Sequence, residues 1–228
     1  IKSLAQTILK SPIHVEATPE NTTVESIYQQ IYRVAKVKKT NLLIKLINDG
    51  QWQQVLVFTR TKHGANKLCK KLERARISAM AIHGNKSQGA RTRALAGFKN
   101  HDIRVLVATD IAARGLDIPL LPHVVNYELP NIPEDYVHRI GRTGRAGANG
   151  VALSLVCAEE TSYLASIEKL TKQRFKKEII KDFEPDPNAS TLPPKKGGGR
   201  QRHIGGRPSN KRQVPAGGGN RSKHKRRR

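Results

Sequence analysis

Acidic residues are scarce in this 228-residue chain: 18 Asp and Glu stand against 42 Lys and Arg, a formal charge of +24. Solubility alone needs far less than that, so a polyanionic partner is implied. Aromatic residues make up only 4% of the chain and none lies beyond Phe183, so the C-terminal stretch offers no stacking surface for single strands. Only two cysteines occur, Cys69 and Cys157, each in an apolar context. That pattern suits reduced core thiols in the cytoplasm, not a disulfide framework or a metal site. Long apolar runs are missing too. The longest spans residues 151–158 and is broken by Ser154, too short to cross a bilayer, and no secretory leader pattern opens the chain. Its eight histidines are scattered and show no metal-ligand spacing.

Two further absences bear on chemistry. No Gly-Lys dipeptide occurs, so there is no Walker A phosphate loop, and no Asp-Glu-x-Asp is present to hold Mg²⁺. A nucleoside triphosphate site in this chain alone would lack both its cradle and its metal. There is no initiator Met, and a short helical pattern (Ile1, Leu4, Ile8) with a strand-like stretch over 14–17 has no evident partner. We expect residues 1–23 to be the end of an upstream domain and a linker.

At 37% apolar composition, one compact domain of about 150 to 180 residues is expected, with non-globular extensions. From residue 24 short apolar runs alternate with helical patterns. Strands are expected over 27–35, 55–58, 79–82, 105–108, 123–127 and 151–156; helices over 38–48, 64–75, 87–98, 133–140 and 161–170. This order predicts an α/β fold, a doubly wound parallel sheet with helices on both faces, over 24–183. From 184 the composition shifts to Pro, Gly, Lys and Arg. Residues 188–228 carry five Lys and eight Arg, with no acid and no aromatic residue, so this basic tail is expected to be disordered.

Ligands of open parallel sheets sit beyond the carboxyl ends of the strands. Those positions here are rich in polar and cationic groups: Thr59 and Arg60 after one strand, His83 and Gly84 after the next, then Thr109 and Asp110, then Glu128. Gln88 and Arg91 open the helix that follows Gly84. A nucleic-acid backbone is the most economical ligand for the set. The densest segment is His138-Arg139-Ile140-Gly141-Arg142-Thr143-Gly144-Arg145. Its glycines make helix continuation past Ile140 costly, so Arg142 and Arg145 are expected where the helix gives out. Arginine supplies the planar, permanently charged fork that phosphoryl transfer needs on the γ-phosphate; an RNA-contacting loop is the alternative on spacing alone.

The ordered blocks 56–62, 83–91, 108–118, 126–130 and 138–145 resemble motifs IV, IVa, V, Vb and VI of the DEAD-box ATP-dependent RNA helicases. The wording over 52–68 and 83–95 is most similar to the bacterial RhlE type. The resemblance covers residues 1–187 and implies a C-terminal RecA-like domain. It implies that Arg142 and Arg145 are arginine fingers on ATP, that Asp117 meets the ribose and that Gly115 allows close approach of the nucleotide. Arg114, His138 and Arg139 would couple this face to an N-terminal RecA-like domain that holds ATP and Mg²⁺. Thr59, Arg60, Gly84, Gln88, Arg91, Thr109 and Asp110 would hold or position RNA. A stand-alone, non-enzymatic RNA-binding module is the competing expectation, with the tail dominating affinity. A related helicase acting on DNA is a weaker third.

Overall fold

The computed structural model describes residues 27–116, 118, 121–144, 150–189 and 191. All of them belong to the compact unit Ile1–Pro194; the second unit, Lys195–Arg228, lies outside the described residues, as do the expected N-terminal elements.

Seven parallel strands form one sheet in the order β3-β4-β2-β5-β6-β1-β7: β1 Ile27–Arg33, β2 Val55–Phe58, β3 Ala79–Ile82, β4 Val105–Ala108, β5 His123–Asn126, β6 Gly150–Val156 and β7 Lys177–Glu178. Side chains of successive strand residues point to opposite faces. Val55, Val57, Val105 and Val107 therefore pack against α1 (Lys39–Asp49) and α2 (Lys62–Arg74) on one face. Leu56, Phe58 and Leu106 meet Phe98 of α3 (Gln88–Lys99) on the other. That second face also receives α4 (Asp110–Ala113), α5 (Pro133–Ile140) and α6 (Thr161–Thr171), with Tyr136, Ile140 and Ile167 covering Ile27 and Ile31. The expected doubly wound sheet is thus present.

The helix after β2 lies on one face while those after its neighbours β4 and β5 lie on the other. This divergence opens a crevice at the carboxyl end of β2, the place where open α/β sheets bind ligands. Local signals set the helix starts around it. Thr61 Oγ1 accepts from the Gly64 N–H and Ser87 Oγ from the Ala90 N–H, while Pro133 occupies the first turn of α5, where its missing N–H costs nothing.

Most expected elements stand within two residues of their bounds. Four short elements were missed: α4, a single turn in which the Ala112 and Ala113 N–H groups reach back to Thr109 O, the two-residue edge strand β7, and the 3₁₀ turns Lys36–Lys38 and Ala158–Glu160. None is long enough to show a period.

At the amino ends of the central strands, the His123 ring stacks on Trp52 with centroids 4.4 Å apart. Burial holds its imidazole below the ordinary 6.5, and Nδ1 has no hydrogen-bond partner among the described residues. The folded chain therefore binds fewer protons here than the unfolded one. Its contribution is intact above pH 6.5 and shrinks as the pH falls below that value. Thermal melts from about pH 7.5 to about pH 5.5 should show a falling Tm, with a smaller fall in His123→Phe. An unchanged slope in that variant would refute this account.

Both thiols are free and buried; burial pushes Cys69 up to about 12 and Cys157 up to about 11. Among the described residues no helix is long and apolar enough to cross a membrane.

Candidate functional site

Arg139 organises the crevice from beneath. It shares a face of α5 with Tyr136 and Ile140, one turn of spacing that turns it inward, and it is 1% exposed. Its Nε and Nη2 donate to the two carboxylate oxygens of Asp110 at 2.6 and 2.8 Å. Nη1 donates to Glu128 O at 2.6 Å and to Asn126 Oδ1 at 3.1 Å, and the guanidinium lies 5.0 Å from the centre of the Phe58 ring. The amide of Asn126 passes the tie on to Ser154 Oγ at 3.2 Å. One planar fork thus joins the ends of β2, β4, β5 and β6, a bidentate pairing that a lysine would not reproduce.

This corrects one expectation. Arg139 does not face outward, so any coupling through it runs by way of Asp110 and the strand ends. Asp110 is 24% exposed and spends one bond from each oxygen on that guanidinium, so it positions Arg139 first and keeps lone pairs on its open side.

Arg142 stands two residues beyond α5. Its backbone N–H bonds to Arg139 O and its carbonyl accepts from the Leu121 N–H, so the main chain is fixed on both sides. Thr143 extends this anchor through its hydroxyl to Leu121 O. Gly144 has φ +62°, and a Cβ there would come within 2.8 Å of the Ile27 side chain, so only glycine fits. On this fixed backbone the Arg142 side chain is half-buried and makes no hydrogen bond or ion pair among the described residues. It lines a cleft with Asp110, Arg114, Asp135 and His138. Arg145 and Asp117 lie outside the described residues. Gly115 has φ +73° with open space where a Cβ would be, as a close approach requires.

Arg114 and His138 rim the same cleft, their side chains 60% and 67% exposed. Both lean on Asp135, Arg114 Nη2 at 2.5 Å and His138 Nδ1 at 3.9 Å. Ile111, on α4 beside them, is 81% exposed, an apolar side chain that no sequence signal singled out.

The expected RNA residues divide. Gly84 and Gln88 are exposed, and Arg91 Nη1 donates to Gln88 Oε1 at 3.2 Å while its buried Nε has no partner among the described residues. The Thr109 hydroxyl has no partner among the described residues and is half-exposed at the head of α4. These four line the ends of β3 and β4 as one surface. Thr59 does not join them. It is fully buried and its hydroxyl donates to Thr61 O, so it shapes the turn, a correction to the expected contact. Arg60 is engaged inward as well: its N–H donates to Glu128 Oε2 at 2.8 Å and its guanidinium lies 5.5 Å from the Tyr163 ring centre. His83, also buried, bonds Asn66 through Nε2, and desolvation with Lys86, Lys62 and His63 nearby holds it below its ordinary value.

Sequence reading missed the hub behind this face. Glu160, fully buried, accepts from the Leu129 N–H and the Cys157 N–H, both at 3.1 Å, and pairs with the ammonium of buried Lys39, which also donates to Tyr127 O at 2.9 Å. It holds the loops after β5 and β6 to the start of α1.

A parallel sheet with diverging helices and, on a pinned loop at its carboxyl edge, an arginine without a partner among the described residues has the architecture of a RecA-like domain. Residues 38–147 match the helicase conserved C-terminal domain family. Over 169 residues the chain is 40% identical to the ATP-dependent RNA helicase RhlB of Pseudomonas syringae pv. tomato, covering 74% of this chain and 43% of that protein. Over 175 residues it is 42% identical to the DEAD-box ATP-dependent RNA helicase CshA of Bacillus subtilis, covering 77% and 35%. It thus spans less than half the length of either relative. Among solved structures it is similar to the E. coli DEAD-box protein SrmB bound to regulator of ribonuclease activity A, with TM-score 0.67, 36% identity and coverage of 72% of this chain and 97% of that one. It is similar as well to S. cerevisiae Dbp5 bound to RNA and ADP BeF3, with TM-score 0.71, 30% identity and coverage of 79% and 49%. The chain belongs to the DEAD-box helicases and carries their C-terminal domain.

Proposed function

We propose that residues 24–183 act as the C-terminal half of an ATP-dependent RNA helicase, of the RhlE type on the wording of residues 52–68 and 83–95. The observation that carries this reading is Arg142: a half-exposed guanidinium with no partner among the described residues, on a backbone fixed by Leu121, Thr143 and Gly144. A cation held this way is suited to a charge that arrives from outside the domain.

In this reading an N-terminal RecA-like domain grips ATP with Mg²⁺, and closure brings its γ-phosphate to Arg142 and Arg145, with Asp117 at the ribose and Gly115 leaving room. Arg114, His138 and exposed Ile111 form the rim that the other domain covers. Gly84, Gln88, Arg91 and Thr109 hold the RNA backbone across the ends of β3 and β4. The Arg139 tie makes the two surfaces one rigid body, so closure on ATP bends the strand held at the RNA surface and separates a few base pairs. The solved relative that holds both RNA and ADP BeF3 supports the pairing of these ligands. The basic tail adds sequence-independent, salt-sensitive affinity.

The test is to mix this chain with a matching N-terminal DEAD-box domain and measure ATP hydrolysis with and without single-stranded RNA. Turnover should require both halves and rise with RNA. Turnover by the N-terminal half alone, unchanged on adding this chain, would overturn the reading.

A further inference from the structure

On the α1–α2 face of the sheet's carboxyl edge lies a cavity of about 380 Å³ that none of the roles above uses. It is within the range of small-ligand sites. Its lining is strongly cationic: Lys36, Lys39, Arg60, Lys67 and Lys71, with the Tyr127 ring on one wall.

The acids at this cavity are already committed. Glu160 is paired with Lys39, and Glu128 accepts from the Arg60 N–H. Lys36 is matched by Glu159 at 2.7 Å. Two cations are left over. Lys67 has no hydrogen-bond or ion-pair partner among the described residues, and Lys71 reaches only the Thr40 hydroxyl, at 3.4 Å. They stand four residues apart on α2, so both point to the same opening. Like charges at that spacing disfavour the helix, and an anion seated between them reverses the sign of the interaction.

Position indicates where the anion comes from. Arg60 is both a wall of this cavity and the second residue after β2, the strand beside β4, whose end Thr109 follows. Neighbouring strands lie about 4.8 Å apart. A strand crossing the ends of β3 and β4 thus reaches the cavity mouth after one or two such steps.

We propose that this cavity is a phosphate site, in which Lys67 and Lys71 hold a phosphodiester of the RNA strand as it continues past Arg60. The proposal rests on the reading of this chain as half of an RNA helicase and extends its RNA track beyond the motif residues.

The experiment uses the full 228-residue chain and compares Lys67→Glu/Lys71→Glu with Lys70→Glu/Arg74→Glu, which changes the same charge on the same helix outside the cavity. Labelled single-stranded RNA is titrated by anisotropy across a salt series, inorganic pyrophosphate is titrated separately, and circular-dichroism melts check folding. The cavity pair should weaken RNA binding about tenfold more than the control pair and flatten the salt slope by about one to two. The milder Lys67→Gln/Lys71→Gln should rank between it and the unmodified chain. If RNA affinity falls alike in both pairs but pyrophosphate binding is lost only in the cavity pair, the site serves a free phosphate ligand and the strand assignment is overturned. Equal losses on both measures overturn the site itself. A chain that binds no RNA at all would count against the helicase reading, and the pyrophosphate titration would still decide the cavity.

Discussion

Replacing Arg142 with alanine in the assembled helicase should lower RNA-stimulated ATP hydrolysis by about 10³-fold, with little change in folding. Both halves of this expectation come from the same geometry. The side chain makes no hydrogen bond or ion pair among the described residues, so its removal leaves nothing unsatisfied, while the loop beneath it is held by backbone bonds and by Thr143. What is lost is a charge in a place where only an incoming phosphate would meet it. Arg142→Lys keeps the charge but not the fork and should recover only part of the rate. The measurement is steady-state turnover at saturating RNA, beside a denaturation curve. Turnover near that of the unmodified enzyme would remove Arg142 from the mechanism; a large loss of stability would show it to be structural.

Glu160→Ala should destabilise the domain by about 3–5 kcal/mol, the usual result of breaking a buried ion pair from one side. Glu160 is fully buried. Its removal strands the Lys39 ammonium, 3% exposed, with Tyr127 O as its remaining hydrogen-bond partner, and leaves the Leu129 and Cys157 N–H groups unpaired. Leu129 N–H and Cys157 N–H meet different oxygens of Glu160, so Glu160→Gln retains an acceptor for one of them and should lose less than the alanine variant. Urea midpoints at constant m-value would read both. A loss within about 0.5 kcal/mol for the alanine variant, the ordinary surface result, would contradict the hub role.

The contrast between Arg142 and Arg139 shows what sequence could and could not provide. Strands such as Val55–Phe58 and Val105–Ala108 are short apolar runs with polar flanks, and α5 opens on Pro-Glu-Asp and closes on Gly141, so their bounds are visible in the residues themselves. The arginines were visible too, but as one cluster. Burial of Arg139 has a local signal, its one-turn spacing from Tyr136 and its place beside Ile140, which the sequence reading did not use. Its partner Asp110 stands 29 positions earlier, and no spacing rule links them. The same holds for Lys39 and Glu160, 121 positions apart and brought together only because β1 and β6 are neighbours in the sheet. Thr59 failed for another reason: an apolar strand followed by Thr and Arg reads as exposed polar residues, while the turn folds the hydroxyl back onto Thr61 O.

Trp52 is the chain's single tryptophan, stacked on His123 where β5 begins, at the opposite end of the strands from Arg142, Thr109 and Gly84. Its fluorescence is accordingly an internal gauge of the sheet's integrity, one that should stay quiet while nucleotide or RNA occupies the far edge. A signal recorded there during a titration would announce melting, not occupancy, and so separates variants that fail to fold from those that fail to bind.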